Sequence, residues 1–599
     1  MARVRAPELK GRGWLNTGGK ELSIKDLRGK IVLLDFWTFC CINCLHVLDE
    51  LRPLEDKYGD VLVVIGVHSP KFEHEKDAEA VVAAVERYGV EHPVLDDPEL
   101  HTWKQYAAKA WPTLSVVDPE GYVVASMAGE GHAEGLRRLI DELIATHEAK
   151  GTLHRGVGPF VPPPTAQTLL RFPGKALPLS DGTVLVSDSA RHQLARLNGE
   201  EVVSRIGSGQ RGRADGTSEQ ASFSEPQGLC LLPTNISNIC GYDVIVADTV
   251  NHLLRGLKLS NGEVTTVAGT GRQWRSTVDD HAHDARSMDL SSPWDVAWYQ
   301  GKVIIAMAGT HTLWWFDPVK RTVGLYAGTT VEALRDGPLP DVWLAQPSGL
   351  SVSADGQRLW FVDSETSALR FIENNVMGTA VGQGLFDFGH ADGAAGQALL
   401  QHPLGVQALP NGEVLIADTY NGAIRKYANG MVSTVDTGLA EPSDVFLSAD
   451  GRIHVVESAA HRIVEVTDGD QSMDAKRHKV KRPPTELAAG EVTLDIIFTP
   501  PPGQKLDYSF GDPTRLEVSA SPAEILVAGE GVTTSLKRTL TLKEGVGVLQ
   551  VVAQAATCDS HDEHAACHLT RQDWGVPIIV KDGGAQRLAL ILRGLDEEA

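Results

Sequence analysis

The sequence predicts a multidomain protein with three folded parts: an α/β domain, an all-β array of six repeats and a C-terminal antiparallel β-sandwich. Its 599 residues exceed what one hydrophobic core usually supports. Buried strands alternating with amphipathic helices predict the α/β domain, two recurring sequence units predict the array, and short apolar runs between Gly and Pro turns predict the sandwich. The predicted boundaries are 1–150 for the α/β domain, 151–165 for a linker, 166–470 for the array, 471–485 for a basic linker and 486–599 for the sandwich.

The charge of the chain bounds the classes of partner that it can bind. Asp and Glu outnumber Lys and Arg by 78 to 55, and a formal net charge of −23 argues against a nucleic-acid partner, because phosphate binding depends on Lys and Arg. No apolar segment of a signal peptide follows the first residues, and no run reaches the roughly 18–20 apolar residues of a membrane helix. We therefore expect a cytoplasmic protein with no membrane partner, and the oligomeric state stays open.

The α/β domain is predicted to follow the order β-α-β-α-β-β-α. Apolar periodicity indicates, in chain order, the strand Ile31–Phe36, a helix with Leu45, Leu48, Leu51 and Leu54 on one face, the strand Val61–Val67, the helix Ala78–Tyr88, the hairpin strands Thr113–Val117 and Tyr122–Met127, and a closing helix with Leu136, Leu139, Ile140, Leu143 and Ile144. The turn Asp118-Pro119-Glu120-Gly121 joins the hairpin strands.

A Cys-x-x-Cys pair, Cys41 and Cys44, stands between the first strand and the first helix. The unpaired N–H groups and the positive end of a helix dipole stabilise a thiolate at such a position. Asp35 precedes the aromatic pair that leads into the turn, and a third thiol, Cys40, stands directly before the pair. This combination indicates thiol–disulfide redox chemistry.

These residues resemble the thioredoxin-like family. The resemblance is carried by two segments about 70 residues apart, Leu34-Asp35-Phe36-Trp37 before the cysteines and Trp111-Pro112-Thr113-Leu114 before a later strand. It implies that Cys41 is the attacking thiol, Cys44 the resolving thiol, Asp35 the buried acid that assists deprotonation, and Pro112 a cis-proline beside the site.

The segment also departs from the thioredoxin-like pattern, and alternatives stay open. Cys40 replaces a usual aromatic residue and Ile-Asn replaces the common Gly-Pro, so the reduction potential cannot be inherited from the family. Trp37, Thr38 and Cys40 are auxiliary candidates. Thr38-x-x-Cys41 also resembles the end of a peroxiredoxin motif, although Leu34 stands where that motif has Pro. A metal clip with His46 and a redox-inert fold are the remaining interpretations.

Two units recur through the middle of the chain. The first unit is an apolar residue, two variable residues and a Pro that precedes a strand. The second unit is a predicted strand that ends in an acidic residue, followed a few residues later by an apolar residue and a basic residue. Examples of the second unit are Val246-Ala-Asp248 with Arg255 and Ile416-Ala-Asp418 with Arg425. Six copies predict six blades. The units resemble NHL repeats, which implies a six-bladed β-propeller whose loops bind a protein partner or a protein disulfide substrate. The acids are interpreted as turn and blade-to-blade bonding residues.

The predicted sandwich contains a second cysteine pair, Cys558 and Cys567. One interpretation is a disulfide or dithiol across a loop between two strands, similar to small β domains that exchange electrons with thioredoxin-like partners. Another is a metal site that adds His561 and His564, and a third is no role at all.

The domain order of the whole chain resembles the NHL repeat-containing protein 2-like family. Together with Cys41 and Cys44, it leads us to expect a thiol–disulfide oxidoreductase without a cofactor or a bound metal. The competing functions are a non-catalytic scaffold and a peroxiredoxin-like thiol peroxidase. The sequence identifies neither the substrate nor the electron donor.

Overall fold

The computed structural model describes residues 4–164, 167–276, 281–385, 387–467, 476–479, 484–500, 504–506, 508, 512–559 and 567–592. The chain divides into two compact units. One comprises Met1–Glu86, Val90–Thr165 and Lys481–Ala599, and the other comprises Arg87–Gly89 and Ala166–Val480. None of the helices in the described residues is long and apolar enough to cross a bilayer.

The first unit contains the predicted α/β domain, built on a seven-stranded sheet. Its elements are β1 (Val4–Arg5), β2 (Gly13–Leu15), β3 (Ile31–Trp37), α1 (Ile42–Tyr58), β4 (Leu62–His68), α2 (Ala78–Arg87), β5 (Val94–Asp96), α3 (His101–Gln105), β6 (Thr113–Val117), β7 (Tyr122–Ala128) and α4 (Ala133–Lys150). The strand order is β1-β7-β6-β3-β4-β5-β2. The longer elements match the sequence prediction, whereas β1, β2, β5 and α3 are too short to show a hydrophobic period.

Strand β3 lies at the centre of this sheet and positions the cysteine segment. It is buried along its whole length, pairs in parallel with β4 and pairs antiparallel with β6. Leu33 on one face of β3 packs with Val47 and Leu51 of α1. Because alternate residues of a strand share a face, Asp35 and Trp37 also point toward the α1 side.

The second unit contains the six-bladed β-propeller. The first blade is β8 (Ala176–Pro178), β9 (Val184–Asp188), β10 (Gln193–Asn198) and β11 (Glu201–Ile206), and the second is β12 (Pro226–Leu231), β13 (Val244–Asp248), β14 (Leu253–Lys258) and β15 (Glu263–Ala268), with α5 (Thr234–Cys240). The third blade is β16 (His283–Asp284), β17 (Pro293–Tyr299), β18 (Lys302–Met307), β19 (Thr312–Asp317) and β20 (Thr322–Ala327), and the fourth is β21 (Gly337–Pro338), β22 (Pro347–Val352), β23 (Arg358–Asp363), β24 (Ala368–Glu373) and β25 (Val376–Val381). The fifth blade is β27 (Gly393–Ala394), β28 (Gly405–Ala408), β29 (Val414–Asp418), β30 (Ala423–Ala428) and β31 (Met431–Thr437), and the sixth is β32 (Pro442–Leu447), β33 (Ile453–Glu457) and β34 (Arg462–Val466). One edge strand of each blade contacts that of the next in the order β8, β12, β17, β22, β28 and β32, and β32 contacts β8, which closes the ring.

A buried Asp–Arg pair recurs inside the blades at the positions of the second repeat unit. Arg255 contacts Asp248 at 2.8 Å, Arg370 contacts Asp363 at 3.0 Å and Arg425 contacts Asp418 at 2.8 Å, and all six side chains are fully buried. The second carboxyl oxygen of each acid accepts a backbone N–H from the segment that enters the blade. These acids therefore join strands and loops within a blade.

The C-terminal domain is a sandwich of two sheets. Its strands are β36 (Thr485–Ala488), β37 (Gly490–Phe498), β38 (Gln504–Leu506), β39 (Thr514–Ser521), β40 (Leu526–Ala528), β41 (Gly531–Thr533), β42 (Lys537–Leu542), β43 (Gly545–Asp559), β44 (Cys567–Lys581) and β45 (Arg587–Leu592). One sheet has the order β36-β44-β43-β39-β41 with β38 beside β43, and the other has the order β40-β42-β37-β45. The sheets are mixed rather than purely antiparallel, because β36 pairs in parallel with β44 and β37 with β45.

Part of the segment that the sequence places in a basic linker is a strand. β35 (Lys476–Lys479) pairs antiparallel with β26 (Asp387–His390), which lies between two blades. Backbone N–H and C=O groups make this pairing, so neither segment needs the hydrophobic alternation by which a strand is recognised in a sequence.

Candidate functional site

The two cysteines of the Cys-x-x-Cys pair lie at the start of α1. Cys41 is the N-cap residue, with no side-chain capping bond, and its carbonyl accepts the N–H groups of Cys44 at 3.0 Å and Leu45 at 3.2 Å. Both cysteines are free thiols and both are buried, Cys41 with 5% of its surface exposed and Cys44 with none. The Cys41 sulfur thus lies at the positive end of a 17-residue helix, where a thiolate is stabilised.

Cys44 and Asp35 are two buried groups whose pKa values are both raised. Burial raises the pKa of the Cys44 thiol well above its usual range, and the hydrogen bond with Cys41 and the charges of Cys41 and Asp35 raise it further, while Lys71 lowers it. Burial likewise raises the pKa of the Asp35 carboxyl well above its usual range, with added repulsion from Glu55 and Glu50. A carboxyl with a raised pKa is a better match for accepting a proton from a thiol.

Ionisation of the buried Asp35 destabilises the folded protein, and we expect Asp35→Asn to stabilise it at neutral pH. The pKa of Asp35 is higher in the folded than in the unfolded chain, so its contribution to stability is present at low pH and is lost as the pH rises through the folded pKa. We expect the variant to gain about 1–3 kcal/mol in the free energy of unfolding at pH 8. Urea unfolding from pH 4 to pH 8 measures this gain, which should shrink toward pH 4.

Asp49→Asn, which removes the same charge from the half-exposed surface of α1, is the matched control. We expect it to change the free energy of unfolding by less than about 0.5 kcal/mol at either pH. A gain for Asp35→Asn that is equally large at pH 4 would contradict the assignment of a raised pKa.

Pro112 lies across the end of β3 from the cysteines. The Trp111–Pro112 peptide bond is cis, and Thr113 pairs with Phe36 in the sheet. The indole N–H of Trp111 donates to the Ser69 carbonyl at 2.7 Å, and its ring stacks on Trp103 at 4.2 Å between ring centres. The loop beside the thiols is therefore held rigidly.

Glu75 anchors the segment that leads into the cysteine pair, a role that the sequence did not indicate. This fully buried carboxylate accepts the Thr38 hydroxyl at 2.6 Å and the Cys40 backbone N–H at 2.9 Å on one oxygen. Its other oxygen accepts the N–H groups of Lys71 and Phe72 at 2.8 and 2.9 Å. A charged residue in a polar stretch carries no pattern that would reveal this.

The predicted site residues Asp35, Trp37, Thr38, Cys40, Cys41, Cys44 and Pro112 thus share one end of the sheet. A family model described as thioredoxin-like matches residues 29–123, which include all of them. Protein SUPPRESSOR OF QUENCHING 1, chloroplastic, of Arabidopsis thaliana is 34% identical over 77% of this chain and 46% of its own length. NHL repeat-containing protein 2 of Gallus gallus is 34% identical over 78% of this chain and 70% of its own length.

The chain belongs to the NHL repeat-containing protein 2 family. The resemblance predicted from the sequence is confirmed. This family member spans about half the length of the Arabidopsis relative. Its first domain alone is similar to Thiol-disulfide oxidoreductase YkuV of Bacillus subtilis, which is 26% identical over 24% of this chain and 98% of its own length.

The position of His46 does not support a metal site formed by His46 and the cysteines. Its Nδ1 lies 2.6 Å from Glu130 Oε2, an ion-pair geometry, rather than on a thiol. In the described part of the chain, Asp118, Glu120 and His147 form a cluster whose potential metal-ligand atoms all lie within 4.8 Å of one another. It follows β6 at the end of the sheet away from the thiols.

The second predicted thiol pair lies on the long hairpin of β43 and β44. Cys558 is buried and disulfide-bonded, and the backbone register places Cys567 directly opposite it. His561 and His564 lie outside the described residues, and so does the side chain of Cys567. A sulfur in a disulfide is not a thiolate ligand, which disfavours the metal interpretation.

The same hairpin strand contacts the α/β domain next to Pro112. The Gln572 side-chain amide on β44 donates to the Ala128 carbonyl, and a Cβ on Gly129 would lie 2.9 Å from that amide nitrogen. The Gly129 N–H donates to the Pro112 carbonyl at 2.8 Å. In this family member the C-terminal domain therefore supports the cis-proline side of the site, which only the folded chain reveals.

Proposed function

We propose that this protein is a thiol–disulfide oxidoreductase that acts through Cys41 and Cys44. The proposal depends on one arrangement: Cys41 caps α1, its sulfur is hydrogen-bonded to the Cys44 thiol, and the charge of Asp35 acts on that thiol. The similarity of the first domain to a Thiol-disulfide oxidoreductase, YkuV of Bacillus subtilis, also supports the proposal.

The reaction proceeds in two steps. The Cys41 thiolate attacks one sulfur of a substrate disulfide, so a mixed disulfide forms and the other substrate sulfur leaves as a thiol after taking a proton from water. Asp35 then takes the Cys44 proton, and the Cys44 thiolate attacks the Cys41 sulfur. The second substrate sulfur leaves as a thiolate and takes a proton from water, and Cys41 and Cys44 hold the disulfide until a dithiol reductant reduces it.

The propeller is proposed to recognise the protein that carries the substrate disulfide. A ring of six blades with buried ion pairs is a rigid support, and loops on such a support commonly carry binding residues.

The proposed compartment is the cytoplasm. Cys41, Cys44, Cys230 and Cys240 are free thiols, as is usual where glutathione and thioredoxin keep cysteines reduced, whereas Cys558 is disulfide-bonded.

Trapping of a mixed disulfide tests the proposed function. In the full chain, Cys44→Ser removes the resolving thiol, so we expect a disulfide peptide to accumulate on Cys41, as read by non-reducing mass spectrometry. Cys240→Ser, which removes a free thiol on α5, should trap nothing beyond the wild-type level.

Absence of any adduct on Cys41 in Cys44→Ser would contradict the proposal. Such a result, together with unimpaired binding of protein partners, would favour the scaffold function. Rapid, stoichiometric conversion of Cys41 to sulfenic acid by peroxide would instead favour the peroxidase.

A further inference from the structure

Each blade of the propeller is entered through the residue that precedes the proline of the first repeat unit. These six residues are Phe172, Glu225, Ser292, Gln346, His402 and Glu441. Each has a positive φ, between 44° and 64°. A positive φ is uncommon in a residue that carries a side chain, and it stores backbone strain. The six blade junctions therefore share a strained residue that must be held in place.

At four junctions an imidazole of the preceding blade holds the strained residue. Its Nδ1 accepts the backbone N–H of that residue: His192 from Glu225 at 3.3 Å, His252 from Ser292 at 3.0 Å, His311 from Gln346 at 3.0 Å and His461 from Phe172 at 3.1 Å. Each histidine lies four residues after the end of a strand, namely β9, β13, β18 or β33. We call these four contacts the histidine clasps.

The clasps require neutral imidazoles. A backbone N–H can only donate, so Nδ1 must be the unprotonated acceptor and the ring proton must be on Nε2. In an imidazolium both nitrogens carry protons, so two N–H groups would face each other and the hydrogen bond would be lost. An unperturbed imidazole takes up its second proton at about pH 6.5, which is within the physiological range.

The fourth blade shows that the fold does not require an imidazole at this position. Ser367 lies four residues after the end of β23, and its hydroxyl accepts the His402 N–H at 3.2 Å. Ser367 has a φ of 50°, close to the 54° of His252. A hydroxyl accepts this hydrogen bond and does not titrate. The four imidazoles therefore add a response to pH that serine at the same position lacks.

Acids of the second repeat unit stand next to three of the clasps. Each accepts the backbone N–H one residue before the strained residue: Asp188 from Arg171 at 2.6 Å, Asp248 from Ser224 at 2.8 Å and Asp363 from Ala345 at 2.8 Å. Each is paired with an arginine, namely Arg205, Arg255 and Arg370 at 2.6, 2.8 and 3.0 Å. Burial raises the pKa of Asp248 and Asp363, so their contribution to stability is lost as the pH rises, which is the opposite of the effect expected from the clasps.

Other charged groups lie beside individual clasps. They are Glu225 with Arg211 at 3.4 Å and Arg191 beside His192, Glu365, whose N–H donates to the Ala345 carbonyl at 3.0 Å, beside His311, and Arg87 over the Phe172 ring at 4.9 Å with Arg462 and Glu457 at 2.6 Å beside His461. The His252 clasp has simpler surroundings, because its partner Ser292 is uncharged and Met307 replaces the acid of the following blade. It is therefore the clasp on which the effect of protonation is best measured.

We propose that the histidine clasps make the propeller a pH-sensitive ring, closed while the imidazoles are neutral and loosened at four junctions as they take up protons below about pH 6.5. The folded junction resists the proton that the unfolded chain accepts. The stability that the clasps confer is therefore complete above that pH and is lost as the pH falls. This inference is independent of the thiol chemistry at Cys41 and Cys44.

Hydrogen exchange of the full chain tests the clasps at single backbone amides. Mass spectrometry with fragmentation, at about pH 7.5 and about pH 5 and corrected for the intrinsic exchange rate, gives the protection of each clasped N–H. We expect the protection of the Ser292 N–H to fall by about tenfold or more on acidification. In His252→Ser, which copies the hydroxyl found at position 367, it should stay within about threefold. The other three clasped amides of that variant should still lose protection.

His311→Ser is the second variant and should remove the pH dependence at the Gln346 N–H alone. His281→Ser, which removes an exposed imidazole from the same propeller, is the control and should leave all four clasped amides as in the wild type.

An acid-induced loss at Ser292 in His252→Ser, or at Gln346 in His311→Ser, as large as in the wild type would overturn the inference. Wild-type protection that changes by less than about twofold at all four clasped amides would also overturn it. Neither result bears on the proposed function, because hydrogen exchange at these amides does not report on a thiol.

Discussion

Cys41→Ser abolishes disulfide reduction, whereas Cys40→Ala leaves it within about threefold of the wild type. Loss of the nucleophile removes the chemistry itself, and we expect turnover to fall by about three orders of magnitude or more. Cys40 precedes the helix, and its backbone N–H is bonded to Glu75, which an alanine at position 40 retains. Turnover of a disulfide peptide with dithiothreitol as the reductant measures both effects.

The pair of variants also decides what the third thiol does. Cys40 is 2% exposed, and alanine replaces it with a side chain of similar apolar character. Circular dichroism and urea unfolding control for the fold. A loss for Cys40→Ala as large as that for Cys41→Ser would contradict the assignment of Cys41 as the sole attacking thiol and would make Cys40 a participant in the redox reaction.

We expect Arg425→Met to destabilise the propeller by about 3–5 kcal/mol, the usual result of removing one partner from a buried ion pair. Arg425 is fully buried and donates to Asp418 at 2.8 Å, to Asp392 at 2.5 Å and to the carbonyls of Leu399 and Ala391 at 3.0 and 2.9 Å. The substitution leaves the Asp418 charge buried without its cation. Urea unfolding of the full chain, followed by tryptophan fluorescence, measures the change.

Arg452→Met is the matched control on the surface of the same propeller. Arg452 also contacts two acids, Asp450 at 2.7 Å and Glu465 at 2.5 Å, but it is 54% exposed. Exposed ion pairs contribute little, so we expect a loss below about 1 kcal/mol. A similar loss for both variants would contradict the role assigned to burial.

The Arg425→Met effect also depends on pH. Burial already raises the pKa of Asp418, and Arg425 opposes that rise. Without Arg425 the folded pKa rises further, so the stability of the variant falls as the pH rises through that value. The difference from wild type should therefore be smaller at pH 4 than at pH 8.

Long elements and repeated units were predictable from the sequence because they depend on local periodicity. The strand Ile31–Phe36 and the two hairpin strands on either side of Asp118 appear within one or two residues of the prediction, and a helix follows Cys41 as predicted. The six blades are confirmed for the same reason, since each repeat carries its own apolar strands. Short strands such as β2 and β5, at three residues each, carry no period and were missed.

The chain by itself therefore determined the family, the order of the domains and the segment that holds Cys41 and Cys44. Only the tertiary structure decided which distant residues act on that segment. Glu75 reaches Thr38 across 37 positions, and His92 reaches Glu55 across 37 positions and lies against Gly66. In the propeller, Lys175 Nζ reaches the Leu404 carbonyl at 2.7 Å across 229 positions. Such contacts arise because buried polar groups must find hydrogen-bond partners wherever packing places them, and that requirement leaves no periodic trace in a sequence.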